Sequence, residues 1–120
     1  MTLDTHPYLC FGPQRAGDIS VFANTPCDSW AGLVSDGMRG FGLQNAGEFS
    51  NAVNDCGLFL NGVNLGTRYE GTYEGVWPRV GDCRTWTDWQ NYTPAMKTGL
   101  RNFALASMDA LQVGCFSASD

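Results

Sequence analysis

The chain has 120 residues, of which 43% are hydrophobic and only 16% are charged, and its net charge is -5 at pH 7. This is the length of one ordinary domain, and the apolar content is sufficient for a packed core. The negative net charge argues against a nucleic-acid partner. No run approaches the roughly 18 apolar residues of a membrane helix, so we expect no membrane partner either.

The first half of the chain predicts a strand, a helix and a second strand. TLDTHPYLCF has the composition of a short strand, and FGPQ after it is typical of a loop. Irregular sequence follows until a set of apolar residues recurs at helical spacing: Trp30, Leu33, Val34 and Met38. GLQNAGEFS is again strand-like, with polar residues at its C-terminal end.

The segment after the second strand predicts a helix and then a long loop. Apolar residues of NAVNDCGLFLNG have helical spacing at Val53, Cys56, Phe59 and Leu60. Gly62 is expected to end this helix. Residues 63–91 are rich in glycine and aromatic residues and show no period, which is typical of a functional surface loop.

The last helix is the clearest predicted element. Thr93 is a good N-cap, and Pro94 suits the first helical position. An apolar stripe follows at Met96, Leu100, Phe103, Ala104, Met108 and Leu111. The alternating order of strands and helices favours an α/β fold with a parallel sheet. Because such a sheet needs neighbouring strands, we expect a piece of a larger fold whose exposed sheet edges favour self-association.

The cysteines and one triplet have an extracellular character. The five cysteines are Cys10, Cys27, Cys56, Cys83 and Cys115. They contain no CxxC pair, so we expect no zinc site, and their odd number leaves one thiol unpaired or paired between chains. Asn91-Tyr92-Thr93 is an N-glycosylation acceptor triplet, which makes Asn91 a candidate modification site. The first residues, MTLDTHPYLCFG, lack the features of a secretory signal peptide.

His6 is the one histidine of the chain, and it limits the possible chemistry. No GxSxG motif accompanies it, so a serine nucleophile is unsupported. A metal site of His6 with Asp4 would have too few ligands, and we expect no metal and no cofactor. Without a partner motif, His6 has two interpretations: a hydrogen-bonded structural residue or part of a site.

Glycoside hydrolysis requires two carboxylates and aromatic faces for the sugar. Glu48, at the polar end of the second strand, is a candidate; its alternative role is that of a solvated surface acid. Glu70 and Glu74 are candidate second carboxylates in a glycine-rich setting typical of loop acids. Three tryptophans of the same region offer stacking platforms or packing against the body: Trp77, Trp86 and Trp89.

Five motifs resemble fungal exo-β-1,3-glucanases of glycoside hydrolase family 5: LDTHPYLCFG, AGEFSNAVNDCGLFLNGV, GTRYEGTY, WPRVGDC and FALASMDALQ. They lie in the family's order from about residue 2 to residue 112. The resemblance implies the C-terminal portion of a (β/α)8 TIM-type barrel, without the N-terminal strands and the eighth strand. Residues 1–112 would form a partial catalytic domain, and residues 113–120 are an unmatched tail. The resemblance also implies β-1,3-glucan or laminari-oligosaccharides as ligands and an extracellular or cell-wall location.

The resemblance assigns roles to four residues of the candidate site. Glu48 in GEFS corresponds to the catalytic nucleophile at the end of the seventh barrel strand. His6 and Tyr8 in HPY correspond to residues that contact the sugar and orient that nucleophile. Phe11 falls at the position of an aromatic residue beside the cleft entrance.

The same resemblance implies one disulfide, between Cys56 and Cys83. Cys27 matches a cysteine whose partner lies further downstream, and no equivalent of that partner is recognisable. We therefore expect Cys27 to account for the odd number of cysteines.

The departures from the family concern the second carboxylate and the tail. The resemblance places the general acid/base in an Asn-Glu pair, and this dipeptide does not occur in the chain. The tail VGCFSASD replaces a run rich in tryptophan and phenylalanine, as a truncated or mis-spliced product would. We expect a glucanase-related chain with little activity by itself. The alternatives are a small non-catalytic protein that binds glucan or another partner, and a truncated gene product.

Overall fold

Two short parallel strands and the helix between them organise the structure, a computed structural model that describes residues 1–112 and Cys115. Strand β1 spans Leu3–Thr5, helix α1 spans Ala31–Phe41 and strand β2 spans Gln44–Ala46. In the register of the pair, Thr5 lies opposite Ala46. The parallel pairing agrees with the alternating order of strands and helices. Apart from Cys115, the predicted unmatched tail lies outside the described residues.

Helix α1 is reached through two irregular helical turns. A 3-10 turn spans Ile19–Phe22, and a π-helical turn spans Pro26–Trp30 directly before α1. The helix predicted from the apolar spacing is confirmed. Trp30 at the end of the π-helical turn and Val34 in α1 are buried, whereas Leu33 is 67% exposed.

The last helix, which is helix α3 of the chain, begins as predicted. Helix α2 spans Arg84–Thr87, and α3 spans Pro94–Leu111. Oγ1 of Thr93 accepts a hydrogen bond from the backbone N–H of Met96, 3.2 Å away, which is the predicted N-cap.

The buried face of α3 differs from the predicted stripe. It consists of Gly99, Phe103, Ser107 and Ala110. Met108, which the stripe included, is 43% exposed. Ser107 takes an inward position because its hydroxyl donates to the carbonyl of Phe103 at 2.8 Å, and a buried hydroxyl with a partner carries little penalty.

The core lies between α3 and the two irregular turns. The side chain of Phe103 is completely buried and meets Trp30 edge to face, with ring centroids 5.9 Å apart. Gly99 allows α3 to approach the first turn closely, because a Cβ atom there would lie 2.1 Å from Cγ2 of Ile19. Glycine at this position is therefore a packing requirement.

The helix predicted over NAVNDCGLFLNG is wrong, because this segment consists of turns. Side chains bond to nearby backbone groups instead of leaving them to a helix: Oγ of Ser50 accepts from the N–H of Ala52, and Oδ1 of Asn54 accepts from the N–H of Cys56. Phe59 has φ of 62°, in the left-handed region that a helix does not use. The predicted loop over residues 63–91 ends in α2 and a 3-10 turn, Trp89–Asn91.

A buried carboxylate fixes these turns to the following loop. Asp55 has no exposed surface, and it accepts hydrogen bonds from the backbone N–H groups of Arg68 at 2.6 Å and Tyr69 at 3.0 Å. The amide of Asn61 donates to the same carboxylate at 2.9 Å. Two donors from the following loop and one from the turns therefore converge on Asp55 and hold the loop in place.

The guanidinium of Arg68 extends this network to two aromatic rings. One of its nitrogen atoms lies 3.4 Å from Oδ2 of Asp55 and donates to Oδ1 of Asn61 at 2.8 Å. Its carbon lies 4.1 Å from the ring centroid of Tyr73 and 5.3 Å from that of Trp77. These cation–π contacts give Trp77 a packing role in the loop.

Two disulfides close the structure. Cys56 bonds to Cys83, the pairing that the resemblance implied, across a separation of 27 residues. A loop of that length is worth about 3–4 kcal/mol through the lost entropy of the unfolded chain. The expectation that Cys27 lacks a partner is wrong, because it bonds to Cys115. Cys27 lies on the turn packed against α3, and Cys115 follows that helix. The remaining thiol, Cys10, is free and buried.

Within the described ranges, no helix combines the length and the apolar character needed to cross a membrane.

Candidate active site

The candidate site lies where the carboxyl ends of β1 and β2 meet. Thr5 and Ala46 are the last paired residues of the two strands. The two segments that follow them therefore leave the sheet side by side. His6 and Tyr8 follow β1, and Glu48 follows β2. The sheet edge therefore brings together residues that lie some 40 positions apart in sequence.

Tyr8 and Glu48 form the central contact of the site. Oη of Tyr8 donates to Oε2 of Glu48 over 2.5 Å, the short distance expected for a hydroxyl and a carboxylate. The hydrogen bond raises the pKa of the Tyr8 phenol above its ordinary value of 10.0, since ionisation would remove the donor and place a second negative charge beside Glu48. Tyr8 is thus a neutral donor that orients the carboxylate.

His6 lies between two carboxylates. Its Nε2 is 3.2 Å from Oδ2 of Asp4, within hydrogen-bond distance, and its Nδ1 is 3.9 Å from Oε2 of Glu48. With the proton on Nε2, the ring donates to Asp4 and presents Nδ1 towards Glu48. His6 is about half exposed, which leaves its ring accessible from solvent.

Asp4 connects the two strands. The sequence pattern indicates it only as a ligand of a metal site with too few ligands. Its Oδ1 accepts the backbone N–H of Gly47 at 2.7 Å and the side-chain amide of Asn45 at 3.3 Å. The Gly47 N–H and the His6 imidazole hold the pKa of Asp4 below its ordinary value of 3.8. A Cβ atom at Gly47 would lie 2.6 Å from Oδ2 of Asp4, so only glycine allows this approach. Asp4 thereby fixes the residue that precedes Glu48.

The second oxygen of Glu48 is the reactive candidate. The contacts to Tyr8 and His6 both use Oε2, and no hydrogen bond to Oε1 is made within the described part of the chain. The Glu48 side chain is 61% exposed. A carboxylate held through one oxygen and open at the other is suited to attack on a bound carbon centre.

An aromatic wall stands beside this carboxylate. The rings of Tyr8 and Phe11 meet edge to face with centroids 5.2 Å apart, and Phe11 remains 48% exposed. Next to it, burial raises the pKa of the Cys10 thiol, so Cys10 is a packing residue and not a nucleophile. The exposed face of Phe11 offers an apolar surface beside the carboxylate.

Gln14 links the site to the buried network around Asp55. Its amide nitrogen donates to the carbonyls of Cys10 and Gly12, and its Oε1 accepts from the backbone N–H of Asp55. Nothing in the sequence pattern identified this link, because a glutamine after Gly-Pro has the composition of an ordinary loop. The loop that carries Tyr8 and Phe11 is therefore anchored to the disulfide-bonded segment.

The other candidates of the sequence have structural contacts. Oε1 of Glu70 accepts the backbone N–H of Cys83 at 3.0 Å, which commits that oxygen to the loop. Nε1 of Trp77 donates to the carbonyl of Glu74, and Nε1 of Trp86 contacts the hydroxyl of Tyr69 at 3.3 Å. Among the described residues, no group of three or more histidine, cysteine or acidic residues could hold a metal ion.

Comparison with known proteins finds relatives whose names state the same activity. No protein-family model matches the chain. A probable glucan 1,3-β-glucosidase D of Aspergillus clavatus is 31% identical over 128 residues, covering 95% of this chain and 15% of the relative. A glucan 1,3-β-glucosidase of Candida oleophila is 41% identical over 69 residues, or 57% of this chain and 16% of the relative. That of Lachancea kluyveri is 28% identical, covering 94% of this chain and 26% of the relative.

The chain spans between 15% and 26% of the length of these relatives. The resemblance to glucan 1,3-β-glucosidases is confirmed at this level, and it extends over nearly the whole chain. The chain is related to the glycoside hydrolases through the glucan 1,3-β-glucosidases.

Proposed function

We propose that Glu48 is the nucleophile of a retaining β-1,3-glucanase site of the family 5 type. The observation that carries this proposal is the 2.5 Å hydrogen bond from Tyr8 to Glu48. It occupies one carboxylate oxygen and leaves the other free. In the first step Oε1 would bond to the anomeric carbon of a glucosyl unit as the glycosidic C–O bond breaks.

The substrate proposed for this site is β-1,3-glucan or a laminari-oligosaccharide. The relatives are named for that activity, and the wall of Tyr8 and Phe11 suits a neutral sugar ring. Substrate would reach the Glu48 carboxylate from solvent, since that side chain is largely exposed.

The same proposal assigns the general acid/base to a carboxyl group outside these 120 residues. Retention requires two carboxyl groups about 5–5.5 Å apart. Asp4 is held by Gly47 and His6, and Glu70 is committed to Cys83, so both have structural roles. General acid–base assistance is typically worth about 10²–10⁴-fold in rate, so we infer that the chain alone has little hydrolase activity.

We further propose that β1 and β2 are neighbouring strands of a (β/α)8 barrel. Parallel strands joined through a helix are the repeat unit of that fold, which supports the proposal, as does a candidate site at the carboxyl ends of the strands, where barrel enzymes have their active sites. The Cys56–Cys83 and Cys27–Cys115 disulfides support an extracellular or cell-wall location. Within the described residues neither outer edge of the sheet is paired, which favours association with further strands.

A nucleophile can be tested without its acid partner. A 2-deoxy-2-fluoro-β-glucosyl fluoride needs no protonation: Oε1 bonds to C1, the C1–F bond breaks and fluoride leaves. We expect mass spectrometry to find one fluoroglucosyl group on the peptide that contains Glu48. Glu48→Gln should abolish labelling, and Glu74→Gln, which changes an acid of the loop, should retain it. Labelling that persists in Glu48→Gln would contradict the assignment.

The second candidate function is glucan binding without cleavage, which the exposed Phe11 beside Tyr8 favours. Titration with laminari-oligosaccharides distinguishes the two. Saturable binding that weakens in Phe11→Ala, together with no fluoroglucosyl labelling, supports the binding function.

A further inference from the structure

We propose that Asn91 is an N-glycosylation site and that its first sugar covers the exposed indole of Trp89. The acceptor triplet Asn91-Tyr92-Thr93 begins at the last residue of the 3-10 turn Trp89–Asn91 and ends at the N-cap of α3. It is therefore part of the surface connection between two helical elements. The catalytic proposal plays no part in this inference.

The triplet is anchored by its middle residue. Oη of Tyr92 donates to the carbonyl of Trp86 at 2.7 Å, and the two rings meet edge to face with centroids 6.2 Å apart. Asn91 and Thr93 on either side are exposed. The contacts of the half-buried Tyr92 thus hold the triplet in place and leave Asn91 open to solvent, which suits a bulky surface modification.

The contact of the Asn91 amide is compatible with a glycan. Its Nδ2 donates to Oδ2 of Asp88 at 2.9 Å. In the transfer, Nδ2 bonds to C1 of a sugar while the C1–O bond to a lipid-pyrophosphate oligosaccharide donor breaks. The lipid pyrophosphate leaves, and one Nδ2 proton is lost to solvent. The product amide keeps one N–H, so the hydrogen bond to Asp88 can persist.

Trp89 supplies an independent observation beside the triplet. Its side chain is 68% exposed, a large apolar surface for a tryptophan. Trp89 lies two positions before Asn91 in the same turn, so their Cα atoms are at most about 7 Å apart. The apolar face of a sugar attached to Asn91 can reach the indole and remove part of it from water.

The modification is tested on the full chain, secreted from a glycosylating yeast behind a heterologous leader. Release of the glycan by peptide-N-glycosidase in heavy-oxygen water should convert Asn91 to labelled aspartate, which peptide mapping locates. Thr93→Ser keeps both the triplet and the helix cap and should remain glycosylated. Thr93→Asp keeps a capping oxygen but removes the triplet, and it should lose the glycan. A secreted chain with unmodified Asn91 would overturn the proposal.

The position of the first sugar is tested by fluorescence quenching with acrylamide. The glycosylated chain should be quenched less than the enzymatically deglycosylated chain, and this difference should disappear in Trp89→Ala. Trp77→Phe is the matched control and should keep the difference, since Trp77 packs against Arg68. An unchanged difference in Trp89→Ala would show that the sugar does not cover this indole.

Discussion

Asp4 on strand β1 accepts the backbone N–H of Gly47 at 2.7 Å, and this single bond fixes the start of the segment that carries Glu48. Asp4 also accepts from His6, so its carboxylate sets the position of residues on both sides of the site. The two strands alone would not do this, because the paired register ends at Ala46.

The first prediction concerns the titration of Asp4. Its pKa is lowered in the folded chain, so its contribution to the free energy of unfolding is present above the unfolded value of about 3.8 and is lost as pH falls through the folded value. A carbon-13 NMR titration of the Asp4 carboxyl should give a midpoint below 3.8. In His6→Ala part of the lowering should remain, since the Gly47 N–H is the largest single cause. A midpoint that returns fully to the ordinary value would assign the effect to His6 instead.

The second prediction concerns the buried carboxylate of Asp55. Asp55→Ala leaves Arg68 and two backbone N–H groups without their acceptor, and we expect a loss of about 3–5 kcal/mol in the free energy of unfolding, measured in urea. Asp55→Asn keeps one acceptor oxygen and should lose less.

The matched control for Asp55 is an exposed ion pair of α1. Asp36 pairs with Arg39, and both side chains are more than 70% exposed. Asp36→Ala should therefore change the free energy of unfolding by no more than about 1 kcal/mol. Equal losses for the two alanine variants would contradict a special role of Asp55.

The third prediction concerns Gly99 in α3. Alanine is the better helix former by about 1 kcal/mol, but its Cβ would lie 2.1 Å from Ile19. Overpacking of a core typically costs about 1–3 kcal/mol, so Gly99→Ala should be destabilising in thermal or urea unfolding. Gly32→Ala in α1 is the control, because a Cβ there meets no atom within 4 Å and should be stabilising. Stabilisation by both substitutions would show that α3 can move away from Ile19.

The predictable parts of the fold are those with local signals. The helix cap at Thr93 and Pro94 follows from residue types at adjacent positions, and the structure has it. The failed helix over NAVNDCGLFLNG had suitable apolar spacing, but the carboxylate of Asp55 bonds to Arg68 and Tyr69, more than ten residues away. Spacing carries no information about such a distant partner.

For the candidate site, the motifs singled out Glu48, His6 and Tyr8, whose side chains the structure brings together, but not the residues that position them. Asp4 accepts a hydrogen bond from the backbone N–H of Gly47, and Gln14 accepts one from the backbone N–H of Asp55. Those bonds depend on the parallel register of the strands and on the path of the loop, and a local sequence pattern predicts neither. The one available signal was the glycine directly before Glu48, since a glycine there permits close approach of another chain segment.

The last prediction separates orientation of Glu48 from stability. Tyr8→Phe keeps the ring that meets Phe11 and removes only the donor to Glu48. Because the carboxylate then loses the donor that orients it, labelling by the fluoroglucosyl fluoride should slow by about tenfold or more. The melting temperature serves as the structural control and should change little, because both groups of the bond are accessible to water.

The same hydrogen bond has a second measurable consequence. In Glu48→Gln the carboxylate charge is gone, so the raised pKa of Tyr8 should fall towards its ordinary value of 10.0 in an ultraviolet titration. Wild-type labelling rates in Tyr8→Phe, with an unchanged phenol titration in Glu48→Gln, would mean that Tyr8 does not orient the carboxylate. A slowed reaction and a shifted titration together require the direct bond, because a merely structural role of Tyr8 would leave the titration unchanged.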